Sequence, residues 1–404
     1  MLLSGNLVGA DQAVSAPNYK RLFSRALAAA PGRLHFAAHS HHLWPDASYD
    51  AHIAAWDDAA ALADRKWERV FGGVIPEAQR HIAEELYLPD PSTIAFAPST
   101  HELLVRIFSA RGDGPVRVLA SDGEFHSFRR QMARWAEDGR VELRVVATEP
   151  LGTFSERFVA AMAEGGADIA FVSHVMFKSG LVFDRIEELA RFAQPEGPWV
   201  VVDGYHSFMA MPVDLARVAD RIFFIGGGYK YAMAGEGAAY LHAPPGYALR
   251  PAITGWFAEF GALEAKPGAV GYSTDAMRFM GATYDPTGLY RFNAARKMLR
   301  TEGLTTAAIT ERIAVLRADL EQRIRAGEAG RLRDASIVAP QRARVQQRFL
   351  ALRHPNATAW KAALMEHGAI TDARDDVLRI GIGLYHDADD ITALCARVRE
   401  TLGD

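Results

Sequence analysis

Two neighbouring stretches are the most informative about architecture: WVVVDGYHSF at residues 199–208 and RIFFIGGGYK at residues 221–230. Each contains a run of apolar residues rich in β-branched or aromatic types, which predicts a buried strand. The first strand ends at Asp203, and the second runs through three glycines to Lys230. In open parallel sheets, ligands bind beyond the carboxyl ends of the strands. We therefore expect both side chains to lie beside one ligand site.

An acid and a lysine placed in this way suit pyridoxal 5'-phosphate (PLP). This cofactor needs a carboxylate against its pyridine nitrogen and a lysine that holds its aldehyde as a Schiff base. We expect Asp203 and Lys230 to be the catalytic residues, His206 to contact the phosphate or the ring, and the glycines at 226–228 to bend the backbone sharply. The alternatives are structural: a helix cap or loop salt bridge, a hydrogen-bonded histidine, and a solvated hairpin lysine.

Composition argues against several classes of function. The 404 residues carry a net charge of -4, so neither nucleic acid nor a membrane is an expected partner. The N-terminus lacks a signal-peptide pattern, and no stretch is apolar for long enough to span a membrane. The single cysteine, Cys395, allows no disulfide within the chain and no zinc cluster, which suits a cytoplasmic protein.

Short apolar runs alternate with amphipathic stretches between about residues 92 and 245. This alternation predicts right-handed βαβ units and a mostly parallel, mixed sheet. The expected fold class is α/β, with an N-terminal arm at residues 1–45 and a large PLP-binding domain at residues 46–290. A smaller C-terminal α+β domain is expected at residues 291–404, with a contribution from the N-terminal segment.

A phosphate site is predicted where a helix begins after the strand TIAFA. Ser99, Thr100 and His101 stand there, and hydroxyls with free backbone N–H groups at a helix N-terminus can hold a phosphate. The alternative is a plain helix cap supported by Glu102.

The pyridine ring and the substrate also have candidate partners. Phe125 or His126, after the strand RVLA, could stack on the ring or could simply pack. Arg379, inside the apolar strand VLRIGIGLY, invites a carboxylate unless it faces solvent at a sheet edge. Four histidines crowd the segment LHFAAHSHHLWP, but no metal is expected because no helical pair with an acid is present. They are His35, His39, His41 and His42.

With these residues in place, the chain resembles the fold-type I PLP enzymes of the class V aminotransferase superfamily, and among them kynureninase most. The resemblance is carried by SHVMFKSG at 173–180, DGYH at 203–206, GYKYAMAGEGAAYL at 228–241, GW at 255–256, RFMGAT at 278–283 and LRIGIGLY at 378–385. It implies these roles: Schiff-base lysine Lys230, pyridine partner Asp203, phosphate-side contacts His206 and Tyr229, phosphate cap Thr100 with Ser99 or His101, stacking ring Phe125, neighbouring-subunit residues Trp256 and Thr283, and substrate-carboxylate clamp Arg379.

The resemblance further implies a homodimer, with the active site at the subunit interface and an amino acid as substrate. The reaction it implies is kynureninase-like hydrolysis of a Cβ–Cγ bond. Transamination or another PLP-dependent lyase reaction on a different amino acid is the alternative, followed by a PLP-binding protein without turnover. A cysteine desulfurase is disfavoured because Cys395 falls in a C-terminal helix.

The chain departs from the family pattern at two positions and lacks one expected histidine. Phe128 stands where the family has an acid, and Met176 stands where it has asparagine. The animal enzyme has an aryl-pocket histidine in the early helical region, whereas this chain has none between His52 and His81.

Overall fold

In a computed structural model of the chain, the structure describes residues 18–112, 114–262, 268, 270–338 and 348–404. The strands are β1 (Leu34–His35), β2 (Ile94–Ala97), β3 (Val116–Ser121), β4 (Val141–Val146), β5 (Ile169–Ser173), β6 (Trp199–Asp203), β7 (Ile222–Gly227), β8 (Ala239–His242), β9 (Ser336–Ile337), β10 (Phe349–Arg353), β11 (Ala369–Ile370), β12 (Asp372–Arg374) and β13 (Val377–Gly381). The α-helices are α1 (Ser24–Ala28), α2 (Asp46–Leu62), α3 (Lys66–Arg69), α4 (Ile75–Leu86), α5 (Thr100–Ser109), α6 (His126–Glu137), α7 (Phe154–Ala163), α8 (Ile186–Ala190), α9 (Thr287–Thr301), α10 (Thr306–Arg325), α11 (Ala357–Glu366) and α12 (Ala388–Leu402).

The large sheet has seven strands in the order β2-β8-β7-β6-β5-β3-β4. Strands β3 to β7 pair in parallel, while β8 runs antiparallel to both of its neighbours, β7 and β2. The central strands β5 and β7 are buried along their whole length, which explains their continuous apolar sequences. The expected mostly parallel, mixed sheet of an α/β protein is confirmed.

The register of the central strands brings their carboxyl ends to one edge. Ser173 pairs with Asp203, and Asp203 pairs with Ile225. The prediction of a sharp bend at 226–228 is wrong for Gly226 and Gly227, because both residues continue strand β7. They are glycines because other groups approach closely: a Cβ at Gly227 would lie 2.4 Å from the Tyr205 hydroxyl oxygen.

A second, antiparallel sheet in the order β12-β13-β10-β9 forms the small C-terminal domain. The N-terminal segment joins this region, because β1 pairs in parallel with β11 and Ala37 bridges to Gly381. Helix α2 of the early helical region packs against α9. Among the described residues, no helix combines the length and apolar character that crossing a bilayer requires.

Candidate active site

A cavity of about 230 Å³ opens at the carboxyl edge of the large sheet. Its walls come from the ends of β2, β5, β6 and β7, from the loops that follow them, and from the segment that follows β3. The lining residues are Pro98, Ser99, Thr100, His101, Phe125, Ser127, Ser173, Val175, Phe177, Asp203, Tyr205, His206, Tyr229, Lys230, Glu236 and Gly237. Asp203, at the end of β6, and Lys230, three residues beyond the end of β7, therefore face one space as expected.

Lys230 is the one buried lysine among the described residues, with 5% of its surface exposed. Its Nζ donates to His206 Nε2 over 2.5 Å and lies 4.7 Å from the centre of the Tyr205 ring. Burial lowers the pKa of Lys230 to about 7, although the Asp203 carboxylate opposes this shift. The alternative of a solvated hairpin lysine is wrong, and near neutral pH this amine is free to act as a nucleophile or a base.

Asp203 ends β6 with its carboxylate on the cavity wall. Its Oδ1 accepts the backbone N–H of Tyr205 over 2.9 Å, so the acid also stabilises the loop that follows the strand. Burial raises the pKa of Asp203, while the Tyr205 N–H and the nearby Lys230 ammonium oppose that rise. An acid in this setting gains stability from a cationic partner such as a protonated pyridine nitrogen.

His206 and Tyr229 both lie near the Lys230 amine. Burial and the charge of Lys230 lower the pKa of His206 well below its ordinary value, so its ring is neutral. His206 Nδ1 is buried and has no hydrogen-bond partner within the described part of the chain. The Tyr229 ring lies 5.2 Å from that of Tyr205, and the two phenols form an aromatic wall.

The predicted phosphate residues lie at the start of α5. Ser99 is the N-cap, and its Oγ accepts the backbone N–H of Glu102 over 3.3 Å, so the plain-cap interpretation holds for this side chain. Thr100 and His101 line the cavity beside it. The N-terminal end of a ten-residue helix therefore faces the cavity, where its free N–H groups favour an anion.

Of the two candidate stacking rings, Phe125 lines the cavity. Lys230 Nζ lies 5.7 Å from the centre of the Phe125 ring. His126 begins α6 outside the cavity lining and makes an edge contact with Phe177, with ring centres 5.1 Å apart. This placement favours Phe125 over His126 as the ring that covers a ligand.

The two family departures at 128 and 176 are core residues here. Phe128 is buried and stacks on Phe171, with ring centres 3.9 Å apart. Met176 is buried, with its sulfur 3.8 Å from Ser121 Oγ. Neither position contributes a polar group to the cavity lining.

Arg379 lies behind the cavity wall and is not part of its lining. Its guanidinium is 2% exposed and donates to the carboxylate of Asp372 and to the carbonyl oxygen of Phe177. Phe177 itself lines the cavity, so Arg379 is in direct contact with a residue of the cavity wall. The carboxylate that the sequence led us to expect opposite this arginine is, in this structure, one of the chain's own.

Trp256 and Thr283 also lie outside the cavity lining, and they contact each other. The indole N–H of Trp256 donates to Thr283 Oγ1 over 3.2 Å, and Trp256 is 42% exposed. Their assignment to a neighbouring subunit's site stays a prediction.

Three of the four clustered histidines have rings with different neighbours. His35 Nε2 contacts the carbonyl oxygen of His41, and His42 Nδ1 contacts that of Leu43. His39 is fully buried, and its ring lies where a Cβ on Gly381 would be. The expectation that they hold no metal stays a prediction.

Glu124 is the functional candidate that the sequence analysis missed. It is wholly buried, accepts the hydroxyls of Ser121 and Ser173 over 2.5 Å each, and accepts the Ser173 N–H over 3.0 Å. Burial raises its pKa to about 7, and the nearby Asp203 carboxylate adds to that rise. Glu124 thus ties the loop that carries Phe125 to the strand end beside Asp203. In the sequence, the only sign of this contact is that β3 ends at Ser121 and β5 ends at Ser173.

These residues fit PLP. The cavity offers an amine for its aldehyde, a carboxylate for its ring nitrogen, an aromatic face for the ring and a helix N-terminus for its phosphate. The buried Nδ1 atoms of His101 and His206, which have no partner in the described part of the chain, are further polar groups at this site.

The sheet, with a partly buried acid and a buried lysine at its carboxyl edge, is that of a PLP enzyme of fold type I. A family model described as aminotransferase class-V matches residues 74–394, which is most of the chain. The chain belongs to the class-V aminotransferase family, and its cofactor is PLP.

Two relatives by sequence are isopenicillin N epimerase of Streptomyces clavuligerus and the uncharacterised aminotransferase YcbU of Bacillus subtilis. The epimerase is 31% identical over 173 residues, which covers 41% of this chain and 43% of the epimerase. YcbU is 23% identical over 318 residues and matches 78% of this chain and 80% of its own. The chain thus spans less than half of the epimerase.

Two solved structures share the fold. One is a variant of C-DES with glycine covalently linked to its PLP cofactor, with a TM-score of 0.77, 17% identity, and coverage of 96% of this chain and 100% of that one. The other is the cysteine desulfurase CsdA of Escherichia coli, with a TM-score of 0.74, 17% identity, and coverage of 94% and 98%. None of the four is a kynureninase. The wider expectation of a class V PLP enzyme is confirmed, while kynureninase itself finds no support.

Proposed function

We propose that the protein is a PLP-dependent enzyme that removes the Cα proton of an α-amino acid, with transamination as its reaction. The observation that carries this proposal is Lys230, a buried amine with a pKa of about 7 that shares one cavity with Asp203. A base whose pKa lies near the working pH transfers protons most effectively. The class-V family match, which spans residues 74–394, supports the same reaction class.

Each wall of the cavity has a part in this reaction. When bound, PLP supplies a sink for the electrons left on Cα. Lys230 takes the proton from the substrate's Cα and returns a proton to complete the transfer, and Asp203 would keep the pyridine nitrogen of bound PLP protonated. Thr100 and the start of α5 would hold its phosphate, and Phe125 would cover its ring and exclude water. Arg379, which lies behind the wall next to Phe177, turns into the cavity to bind the substrate's carboxylate.

A protein thiol plays no part in this proposal. Cys395 lies in α12, is 2% exposed and is absent from the cavity lining. Burial raises the pKa of its thiol, which keeps it protonated and weakly nucleophilic. Chemistry that requires a cysteine of this chain to receive sulfur is therefore not proposed.

We also propose that the enzyme is a homodimer. Trp256 is 42% exposed and Phe260 is 37% exposed, and they lie in contact, with ring centres 5.3 Å apart. If a partner subunit covers these rings, Trp256 and Thr283 of this subunit would lie at the edge of the partner subunit's cofactor site. Light scattering of the PLP-loaded protein tests this, and a monomeric mass would overturn it.

Exchange of the Cα proton tests the proposed function whatever product the reaction releases. The PLP-loaded protein is incubated in D₂O with one amino acid at a time, including alanine, kynurenine and 3-hydroxykynurenine, and mass spectrometry follows both substrate and products. We expect deuterium at Cα and a keto acid from at least one of them. Alanine and an aryl acid released from kynurenine would instead indicate Cβ–Cγ hydrolysis.

The matched variants are Lys230→Ala and Lys297→Ala. Lys297 is exposed and pairs with Glu77 over 2.8 Å, and neither residue is part of the cavity lining. We expect exchange to vanish in the first variant and to persist in the second. Exchange that survives in Lys230→Ala, or its absence with every amino acid in the wild type, would contradict the proposal.

A further inference from the structure

Arg379 is held by one of the chain's own carboxylates, and a substrate carboxylate that bound the same guanidinium would compete with it. Asp372 lies directly opposite Arg379 in the β12–β13 register, and its Oδ2 accepts from the guanidinium. The arginine is almost wholly buried, so water does not screen this contact. An incoming anion must therefore share Arg379 with Asp372.

A second arginine holds the other oxygen of the same acid. Arg374 Nη1 donates to Asp372 Oδ1 over 2.8 Å, and the Arg374 side chain is half-buried. The neutral ring of His39 completes the group, with Nε2 3.9 Å from Asp372 Oδ2, and burial lowers the pKa of His39 well below its ordinary value. Two positive charges thus surround one negative charge.

The cluster also has more donors than acceptors. The Nε atoms of Arg374 and Arg379 are buried and have no hydrogen-bond partner among the described residues, and neither ring nitrogen of His39 has one. Buried donors without partners cost free energy, and a carboxylate offers up to four acceptor sites. The geometry and the charge balance both favour one additional carboxylate.

We propose that Asp372 and Arg374 are positioning residues that set the affinity of Arg379 for the substrate's α-carboxylate. This rests on the proposed function, in which Arg379 binds that group. When the substrate arrives, Arg374 retains Asp372, and the guanidinium of Arg379 turns to the substrate. Without Arg374, Asp372 would depend on Arg379 alone and would repel the incoming anion. The substrate class is an amino acid with a free α-carboxylate, not its amide or ester.

Binding of L-alanine and of L-alaninamide to the PLP-loaded protein tests this. Alanine is the probe because its side chain is too small to need a pocket of its own, and its Kd is read from the change in the cofactor's absorption. We expect Arg374→Gln to raise the Kd of alanine about tenfold. The Kd of alaninamide should stay within about twofold, because the amide carries no charge for Asp372 to repel.

Three further variants separate the alternatives. Asp372→Asn combined with Arg374→Gln should return the Kd of alanine to near the wild-type value, because the competing carboxylate is gone. Lys178→Gln is the control, since Lys178 pairs with Asp375 and Asp376 at the exposed tip of the same hairpin and should leave the Kd unchanged. Arg379→Lys should weaken alanine binding in every background.

The outcomes distinguish this inference from the proposed function. If Arg379→Lys weakens alanine binding while Arg374→Gln does not, or weakens alanine and alaninamide equally, the inference alone is overturned. If Arg379→Lys leaves alanine binding unchanged, the assigned carboxylate site and the inference fall together. Because Arg374 is half-buried, Arg374→Gln with the two probes remains decisive even if the Asp372 variant does not fold.

Discussion

Replacing the wholly buried Glu124 with glutamine should make the protein's stability less sensitive to a rise in pH from acid to neutral. Burial raises the pKa of this carboxyl from 4.5 to about 7. Between those values the folded chain binds the proton and the unfolded chain does not, so the free energy of unfolding falls as the pH rises through this window. Glu124 therefore stabilises the folded state most at low pH, and this contribution is lost by about pH 7.

The size of the effect follows from the two pKa values. Integrating the linkage relation from pH 5 to pH 8 gives a loss of about 2.5 kcal/mol from this one carboxyl. Glutamine cannot ionise, yet its amide can accept the N–H and hydroxyl of Ser173 and donate to Ser121 Oγ. The substitution should thus keep the hydrogen bonds and remove the titration.

Chemical denaturation at pH 5, 6, 7 and 8, with and without PLP, measures the effect. The stability of Glu124→Gln relative to wild type should rise by about 2.5 kcal/mol across this range. Glu142→Gln, at an exposed position of the edge strand β4, is the control and should track the wild type. A difference between Glu124→Gln and wild type that stays constant from pH 5 to pH 8 would show that this carboxyl does not titrate as described.

Three other predictions concern the cavity and its surroundings. The rate at which the apoprotein takes up PLP should rise with pH about a midpoint near 7, the pKa of Lys230, because only the neutral amine attacks an aldehyde; a stopped-flow midpoint near 10 would disagree. Gly227→Ala should weaken PLP binding in a fluorescence titration, since its Cβ would displace the Tyr205 ring, whereas Gly152→Ala, with open space around it, should bind normally. Phe128→Asp should destabilise the protein by at least about 3 kcal/mol in a thermal unfolding assay, because the acid would replace a stacked core ring; unchanged stability would show that this position is not core.

The sequence was sufficient for the large sheet and for the placement of Asp203 and Lys230 in one cavity. Buried parallel strands produce continuous apolar runs, and the positions where those runs end mark the edge at which ligands bind. A hydroxyl-rich helix start after TIAFA was visible for the same local reason. These features depend on residues close together in the chain.

Features that depend on distant segments could not be derived in this way. Glu124 acts through Ser173, 49 positions away, and only the strand order brings them together. The partner of Arg379 was expected to be a substrate, but the β12–β13 register places Asp372 opposite it. Periodicity also could not separate Phe125 from His126, because one step at the start of α6 decides which ring faces the cavity.

A covalent bond between Lys230 and the cofactor is the feature on which the whole assignment depends, and borohydride reduction followed by peptide mapping detects it. The chain has only seven lysines, so the modified peptide identifies the residue without ambiguity. We expect the PLP-loaded protein to carry the cofactor's mass on the peptide that contains Lys230. The same mass on any other lysine, or no modified peptide from a protein that holds PLP, would prove the assignment wrong.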